Sequence, residues 1–196
     1  MKVSDISKLR KAMEKELEAK RYEHTLSVAY TAANLAMVHG EDVDRALTAG
    51  MLHDCAKCMS HSKQAALCEK NHIRLSEAEL AKNSPLIHAK SGSVLAKTKY
   101  HIKDQDILNA ICYHTTGRPN MSLLEKIVYI ADYIEPGRKH AGNLPEIRRL
   151  AYQDLDAALR RILGDTLIYL SQKGGQVDTM TQKTYDFYVK QITNDT

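Results

Sequence analysis

The 196-residue sequence lacks a long apolar run, a strong excess of one charge and a dense set of cysteines. Nothing in it approaches the roughly 18 consecutive apolar residues needed to span a bilayer, which argues against a membrane protein. The formal net charge of +4 is small and evenly spread. It does not resemble a nucleic-acid-binding arm, but it suits a small polyanion such as a phosphate ester. Residues 1–20 are charged throughout, so no secretory signal is expected and the predicted location is cytoplasmic.

Four cysteines are too few for a disulfide scaffold, and in such a chain we expect them to be reduced. Cys55 and Cys58 form a C-x-x-C motif, the spacing of redox dithiols and of half a zinc site. No second C-x-x-C and no strand–helix pattern of the thioredoxin kind accompany it. We therefore interpret the motif as small buried side chains on a helix.

Helical patterns, by contrast, recur along the whole sequence. Apolar residues at three- and four-residue spacing predict one helix over Asp5–Ala19 and another over about Tyr22–Val38. Ser76 and Ser122 each precede a glutamate by three residues, which is the capping box that begins a helix. Ser84-Pro85 is typical of an N-cap followed by a first helical residue. Since no segment shows the two-residue alternation of a strand, the sequence predicts an all-α protein, a compact bundle of about nine helices.

The last third of the chain is predicted to wrap the first two-thirds. Pro145 begins a long helical segment, Glu146–Gln172, with a break expected near Gly164. Thr179 caps a last short helix. The Lys173–Asp178 segment between them is either a helix stop and connector or a backbone cradle for a base or ribose, and the sequence leaves both open.

Histidines and aspartates supply the chemistry. His24, His88, His114 and the pair His53-Asp54 lie on different predicted helices, within or beside apolar stripes. Adjacent helical residues point about 100° apart, so His53 and Asp54 face one ion only where the helix ends. Asp132 follows an apolar helical run, where a buried carboxylate needs a cation or an equivalent partner. One such histidine alone is more often a hydrogen-bonded core residue, whereas the set indicates a site for iron, zinc or manganese. The other histidines are predicted at the surface: His39, His61, His72, His101 and His140.

Four motifs then carry a family resemblance. They are R-x-x-H (Arg21–His24), HD-x-x-K (His53–Lys57), H-T-T-G (His114–Gly117) and A-D-x-I-E-P-x-R (Ala131–Arg138). The order H…HD…D resembles the HD-domain phosphohydrolase superfamily. All four motifs together are similar to its bacterial branch of YqeK-like symmetrical bis(5'-nucleosyl)-tetraphosphatases. The resemblance implies one HD-type domain over residues 1–196, with a metal-binding core at about 21–138 and C-terminal helices at 145–196 packing on it.

The resemblance also implies the site. The metal, which would be iron, manganese or another divalent transition metal, would be held by His24, His53, Asp54 and Asp132. A second metal near His88 and His114 is an alternative to phosphate binding by these two residues. The implied catalytic residues are Asp54, His88 and His114. The implied phosphate or nucleoside contacts are Arg21, Asp54, Cys55, Ala56, Lys57, His88, His114, Thr115 and Arg138.

The implied activity is metal-dependent hydrolysis of diadenosine tetraphosphate, a dinucleoside polyphosphate, symmetrically into two molecules of the nucleoside diphosphate ADP. Two alternatives stay open. One is an HD nucleotidase or phosphodiesterase acting on another nucleotide, and the other is a non-catalytic, metal-dependent helical adaptor. No nucleic-acid or membrane partner is expected. The sequence does not decide the metal, the base preference or the oligomeric state, although a homodimer is possible.

Overall fold

The computed structural model describes residues 3–82, 84–139, 142–172 and 178–194. These ranges contain eleven helices and no strand. The helices are α1 (Val3–Glu16), α2 (Ala19–His39), α3 (Val43–Leu52), α4 (His61–Lys70), α5 (Glu77–Leu80), α6 (Ile87–Thr98), α7 (Gln105–Tyr113), α8 (Leu123–Ile134), α9 (Leu144–Ala151), α10 (Leu155–Gln172) and α11 (Thr179–Asn194). The all-α prediction is confirmed. The count exceeds nine because α4 was not predicted and because the segment after Pro145 divides in two.

Several helix ends follow the expected chemistry. Gly40 ends α2 in the left-handed conformation, with φ of 77°. The side chain of Asp42 caps α3 by accepting a hydrogen bond from the Arg45 amide. At both Ser76 and Ser122 the complete capping box is present, with serine and glutamate side chains each accepting a backbone N–H. The sequence therefore predicted the starts of α5 and α8 correctly.

The start of α6 differs from the prediction. Ser84 does not cap the helix, which begins two residues after Pro85, at Ile87. Instead, the Ser84 hydroxyl accepts a hydrogen bond from the amide of Leu86 at 3.2 Å. This local side-chain to backbone bond holds a turn that competes with the helix.

The C-terminal helices also differ from the prediction in two places. The break in the segment after Pro145 falls at residues 152–154, not near Gly164, because Asp154 accepts the Ala157 amide and begins α10. The last helix is long rather than short, and Asp178, one residue before Thr179, accepts the Met180 amide at its start. Residues 173–177 of the predicted connector lie outside the described part of the chain.

α8 lies at the centre of the bundle. It packs against α2, α3, α7, α9 and α10, and eight of its twelve residues are buried. The closest approach nearby is between α2 and α3, where a Cβ at Gly50 would lie 2.7 Å from Ala29 Cα. Only glycine allows this spacing, which brings the end of α3 beside α2. Of the helices described, none has the length and apolar content needed to cross a membrane.

Candidate active site

Five elements bring the predicted ligands to one point. His24 lies near the start of α2, His88 near the start of α6, and Asp132 near the end of α8. His53 and Asp54 follow the last residue of α3, and His114 follows the last residue of α7. Ligand atoms of His24, His53 and Asp132 lie within 4.8 Å of one another, and so do those of His53, Asp54 and His114. Because α3 ends at Leu52, both members of the His53-Asp54 pair face the same point.

Three of the histidines are oriented alike. His53 Nδ1 lies 2.7 Å from the Gly50 carbonyl oxygen, and His114 Nδ1 lies 2.8 Å from that of Ile111. His24 Nδ1 lies 3.1 Å from Oε1 of Glu135. Each acceptor assigns the proton to Nδ1 and leaves the lone pair on Nε2. The Nε2 atoms of His24 and His53 are thus available as ligands at the centre of the cluster, whereas His114 Nε2 lies 3.1 Å from His88 Nε2.

The two aspartates connect the histidines. Oδ1 of Asp132 lies 3.1 Å from His24 Nε2 and 4.0 Å from His53 Nε2. Oδ2 of Asp54 lies 3.4 Å from His53 Nε2 and 3.8 Å from His24 Nε2. The other oxygen of Asp54, Oδ1, lies 3.0 Å from His88 Nε2 and 3.7 Å from His114 Nε2. Asp54 therefore stands between two pairs of histidines.

Unpaired atoms test whether a metal fits here. His24 Nε2, His53 Nε2 and Asp54 Oδ1 are buried and have no hydrogen-bond partner. A buried acceptor without a partner is costly, and a cation satisfies several lone pairs at once. Imidazole nitrogens together with carboxylate oxygens suit iron, manganese or zinc. The residues present thus fit a divalent metal ion.

The charges of the cluster shift its pKa values. Burial opposes ionisation of Asp54, but the electrostatic influence of His53 and the contacts with His114, His53 and His88 hold its pKa well below the usual value. Burial likewise opposes ionisation of Asp132, but its contact with His24 and the electrostatic influence of His53, His114 and Arg138 outweigh burial and lower the pKa. Burial lowers the pKa of His88 to about 4, against the influence of Asp54. At neutral pH the cluster therefore has two carboxylates and an uncharged His88.

Three cations surround this cluster. Nη1 of Arg21 lies 2.8 Å from Asp54 Oδ2, and Nη2 of Arg138 lies 2.6 Å from Asp132 Oδ1. Nζ of Lys57 lies 3.1 Å and 3.2 Å from the two ring nitrogens of His88. Burial lowers the pKa of Lys57, and the charges of Arg21 and Arg138 lower it further, against Asp54. The arrangement concentrates positive charge where phosphate oxygens would approach.

Two predicted contact residues have a different environment. Cys55 and Ala56 are buried, and neither is among the residues that line the cavity. The Cys55 amide donates to the Leu52 carbonyl, and its thiol donates to the Gly92 carbonyl. All four cysteines are free, but Cys58 is exposed, and the motif lies on turns after α3 rather than on a helix.

The remaining histidines lie away from the cluster. His72 and His101 are exposed. His39 and His61 are half-buried, and each contacts a backbone carbonyl, of Ala151 and Glu79 respectively. His140 is outside the described residues.

Sequence reasoning gave no role to Glu135, which the structure places directly behind the cluster. It is buried, its Oε1 holds His24 Nδ1, and its Oε2 accepts the Gly137 amide. A Cβ on Gly137 would lie 2.9 Å from that Oε2, so a larger residue at this position would displace the carboxylate. Glu135 thus links His24, a predicted metal ligand, to the turn that carries Arg138. The sequence signal that could have identified Glu135 is its position directly after an apolar helix, α8.

A cavity of about 730 Å³ opens beside the cluster. One part of its wall holds predicted site residues: Arg21, Asp54, Lys57, His88, His114, Thr115, Asp132 and Arg138. The other part comes from the start of α6 and from α8, α9 and α10. This size lies within the roughly 300–1,000 Å³ of small-molecule sites.

Comparisons with known proteins point in one direction. The HD-domain family model matches residues 21–137. The symmetrical bis(5'-nucleosyl)-tetraphosphatase of Bacillus subtilis is 40% identical over 90% of this chain and 94% of its own length. The protein of the same name from Staphylococcus aureus is 35% identical over 94% of each chain. A Clostridium acetobutylicum crystal structure, of a predicted HD superfamily hydrolase involved in NAD metabolism, matches with a TM-score of 0.90. It is 42% identical and covers 94% of this chain and 97% of that one.

Proposed function

The chain belongs to the HD-domain family and, within it, to the YqeK-like symmetrical bis(5'-nucleosyl)-tetraphosphatases, and on that premise we propose that it hydrolyses diadenosine tetraphosphate into two molecules of ADP. The observation that carries the proposal is a cavity whose wall combines aspartates and histidines with the cations Arg21, Lys57 and Arg138. A metal site beside three cations suits a polyphosphate, because each phosphate of such a substrate carries negative charge.

We assign the metal to His24, His53, Asp54 and Asp132, with iron as the first choice and manganese as the second. Their donor types and their unpaired buried atoms support this assignment. When bound, the metal supplies Lewis acidity and lowers the pKa of water. At His88, by contrast, the Lys57 ammonium lies against both ring nitrogens. This contact favours phosphate binding over a second metal at His88 and His114.

The chain's own residues then act on the phosphates. Arg21, Lys57 and Arg138 neutralise the charge that develops on the bridge oxygens. His88, His114 and Thr115 bind phosphate oxygens by hydrogen bonds, and burial, which lowers the pKa of His88 to about 4, favours its neutral form there. Asp54 Oδ1 faces these histidines and orients the attacking water. The water oxygen bonds to one β-phosphorus, and the bond between that phosphorus and the bridging oxygen breaks. The bridging oxygen leaves as a β-phosphate oxygen of the other ADP, and the proton of the attacking water passes to solvent.

We propose further that residues 1–196 act as one HD-type domain in the cytoplasm. Packing of α10 on α8, α9 and α11 supports this unit, with the core at 21–138 and the C-terminal helices on it.

Product analysis tests the function. The protein is purified anaerobically, its metal content is measured, and diadenosine tetraphosphate is added in oxygen-18 water. We expect ADP as the sole nucleotide product, with one label on the β-phosphorus of one of each pair of ADP molecules. Equal amounts of ATP and AMP would contradict symmetrical cleavage. No hydrolysis at full metal occupancy would favour the adaptor, and preferred turnover of a different nucleotide would favour another HD hydrolase.

A further inference from the structure

Three hydrogen bonds hold the side chain of Arg148, on α9, against the end of α8. Its Nε donates to the Ile134 carbonyl at 2.8 Å, and its Nη2 donates to the carbonyls of Glu135 at 2.8 Å and Arg138 at 3.2 Å. The side chain is half-buried and is not among the described residues that line the cavity. Because the guanidinium is planar and its donors form a rigid fork, it holds these three acceptors in one fixed arrangement.

Two of these acceptors belong to the end of α8. The last carbonyls of a helix have no partner within the helix, and they carry the negative end of its dipole. A guanidinium at this position satisfies them and places a positive charge where it is favourable. Arg148 therefore caps α8, which ends at Ile134.

The third acceptor extends this contact across the following turn. The Arg138 amide donates to the Glu135 carbonyl at 3.0 Å, which closes a four-residue turn with Pro136 in the second position that proline favours. Nη2 of Arg148 contacts the carbonyls of both the first and the last residue of this turn. Arg148 thus fixes the turn between α8 and α9 at both its ends.

The turn carries a side chain that the proposed reaction uses. Nη2 of Arg138 lies 2.6 Å from Asp132 Oδ1, and its Nε donates to the Asp132 carbonyl at 2.9 Å. The Arg138 side chain is 39% exposed and lines the cavity. A side chain this exposed has few neighbours to hold it, so the place of its guanidinium depends on the backbone of the turn.

We propose that Arg148 is a positioning residue for the reaction, which acts through Arg138 without touching the substrate. The inference rests on the proposed function, because that function assigns Arg138 to the phosphates. Without Arg148 the turn shifts, and the Arg138 guanidinium moves away from Asp132 and from the bridge oxygens. Misplacement of a reacting group by about 1 Å can lower a rate by about a hundredfold.

A double-mutant cycle tests whether Arg148 acts through Arg138. Arg148→Met keeps a long side chain and removes the charge and the donors. In the metal-loaded full chain we expect it to lower kcat/KM for diadenosine tetraphosphate about tenfold, mostly through kcat, because Arg138 acts on charge that develops during the reaction. In an Arg138→Met background the same substitution should cost less than about twofold, because residues that act as a unit are not additive.

Neighbouring variants keep the cycle specific. Arg149→Met removes the next arginine of α9, whose side chain is exposed, and should keep the wild-type kcat/KM in both backgrounds. Arg148→Lys retains the charge without the planar fork, so its loss should be smaller than that of Arg148→Met. Metal content is measured in every variant, and kcat/KM is compared at equal occupancy. Thermal unfolding shows how much of the capping contributes to stability alone.

Nitrogen-15 NMR of the metal-free full chain gives a readout that does not depend on turnover. The Nε–H group of Arg138 donates to the Asp132 carbonyl, and its resonance is assigned by its absence from Arg138→Met. We expect this resonance to move or broaden in Arg148→Met and to keep its position in Arg149→Met. A cap that served stability alone would leave it in place in both.

The outcomes separate this inference from the proposed function. Equal losses of kcat/KM in the two Arg138 backgrounds, or an unmoved Arg138 resonance in Arg148→Met, would overturn the positioning role while the chain still cleaves diadenosine tetraphosphate. If the wild-type chain cleaves none, the proposed function fails, and the resonance still decides whether Arg148 holds Arg138 in place. If Arg148→Met does not fold, the same two comparisons with Arg148→Lys decide.

Discussion

Two charge clusters meet α7 and α8, and they differ in how their atoms are paired. At one end Glu125 is fully buried, and Arg118 donates to both its oxygens at 2.7 Å, while the Ser122 amide donates to one of them. Nearby, Arg45 bridges Asp104 and Asp106. At the other end, buried atoms of His24, His53 and Asp54 have no hydrogen-bond partner. The Glu125 cluster is satisfied by the protein alone, whereas the histidine cluster is not.

This difference separates a structural role from a chemical one. In the Glu125 cluster the carboxylates accept from N–H groups, from cations and, at Asp106, from the Ser122 hydroxyl, so the groups fix the starts of α7 and α8. In the histidine cluster three Nδ1 atoms are satisfied, and their Nε2 lone pairs converge with carboxylate oxygens. Buried lone pairs that point at one another are costly for the folded protein, and a bound cation would remove this cost.

The largest effect is expected from removing a ligand at the histidine cluster. In Asp132→Ala, metal content should fall and turnover should drop by several powers of ten, because the metal supplies the Lewis acid. The melting temperature of the metal-free protein should change little, because the core does not depend on this side chain. Metal analysis, turnover and thermal unfolding measure the three quantities. Asp186→Ala, at an exposed position on α11, is the matched control. Stoichiometric metal bound with unchanged affinity would contradict the ligand assignment.

At the Glu125 cluster we expect the reverse, a loss of stability with no loss of metal. Glu125→Gln leaves Arg118 beside a neutral group, and breaking a fully buried pair costs about 3–5 kcal/mol. Because the Arg118 side chain is 30% exposed, we expect a smaller loss of roughly 2 kcal/mol in unfolding free energy, with metal content unchanged. Denaturant unfolding measures it, against Glu69→Gln at an exposed position of α4. If Glu125→Gln lost its metal while its stability stayed unchanged, the Glu125 cluster would not have the structural role assigned to it.

Sequence and structure agree most where a local pattern determines the geometry. The capping boxes at Ser76 and Ser122 and the all-α class follow from spacing within a few residues. The R-x-x-H and HD motifs singled out His24, His53 and Asp54, which the structure brings together. Whether they bind metal remains a prediction. The role of Glu135 was missed because its environment arises from a helix distant in sequence, α2, which carries His24. The α6 start was wrong because Ser84 binds the Leu86 amide in a turn.

A smaller effect on metal binding is expected at Glu135, which lies behind the predicted ligand His24. Glu135 orients His24, so Glu135→Gln replaces a charged acceptor by a weaker neutral one at the same position. Metal affinity should fall roughly tenfold, the lower end of the effect of residues that support a metal ligand. Competition with a chelator measures the affinity, and the nitrogen chemical shifts of His24 report its tautomer. Glu146→Gln, at a position 54% exposed, should leave both unchanged. If Glu135→Gln binds metal as tightly as wild type, Glu135 is not a positioning residue.

The smallest effect is expected at the exposed edge of the Glu125 cluster, where Asp104 caps α7 and pairs with Arg45. Asp104→Asn isolates the charge, because asparagine is an equally good N-cap. Burial opposes ionisation of Asp104, but hydrogen bonds from Arg45 and from the Asp106 and Ile107 amides outweigh it, so its folded pKa lies below 3.8. A depressed carboxylate pKa stabilises the fold above the unfolded pKa, and this stabilisation is lost as pH falls through the folded pKa.

Asp104 is 37% exposed, so wild type should exceed Asp104→Asn by less than about 1 kcal/mol at neutral pH. The difference should shrink as pH falls below 3.8 and as salt rises. Denaturant unfolding at a series of pH values measures it, with metal content as the control that should not change. A difference of constant size at every pH would assign the effect to the cap rather than to the charge, and the pairing with Arg45 would then contribute nothing to stability.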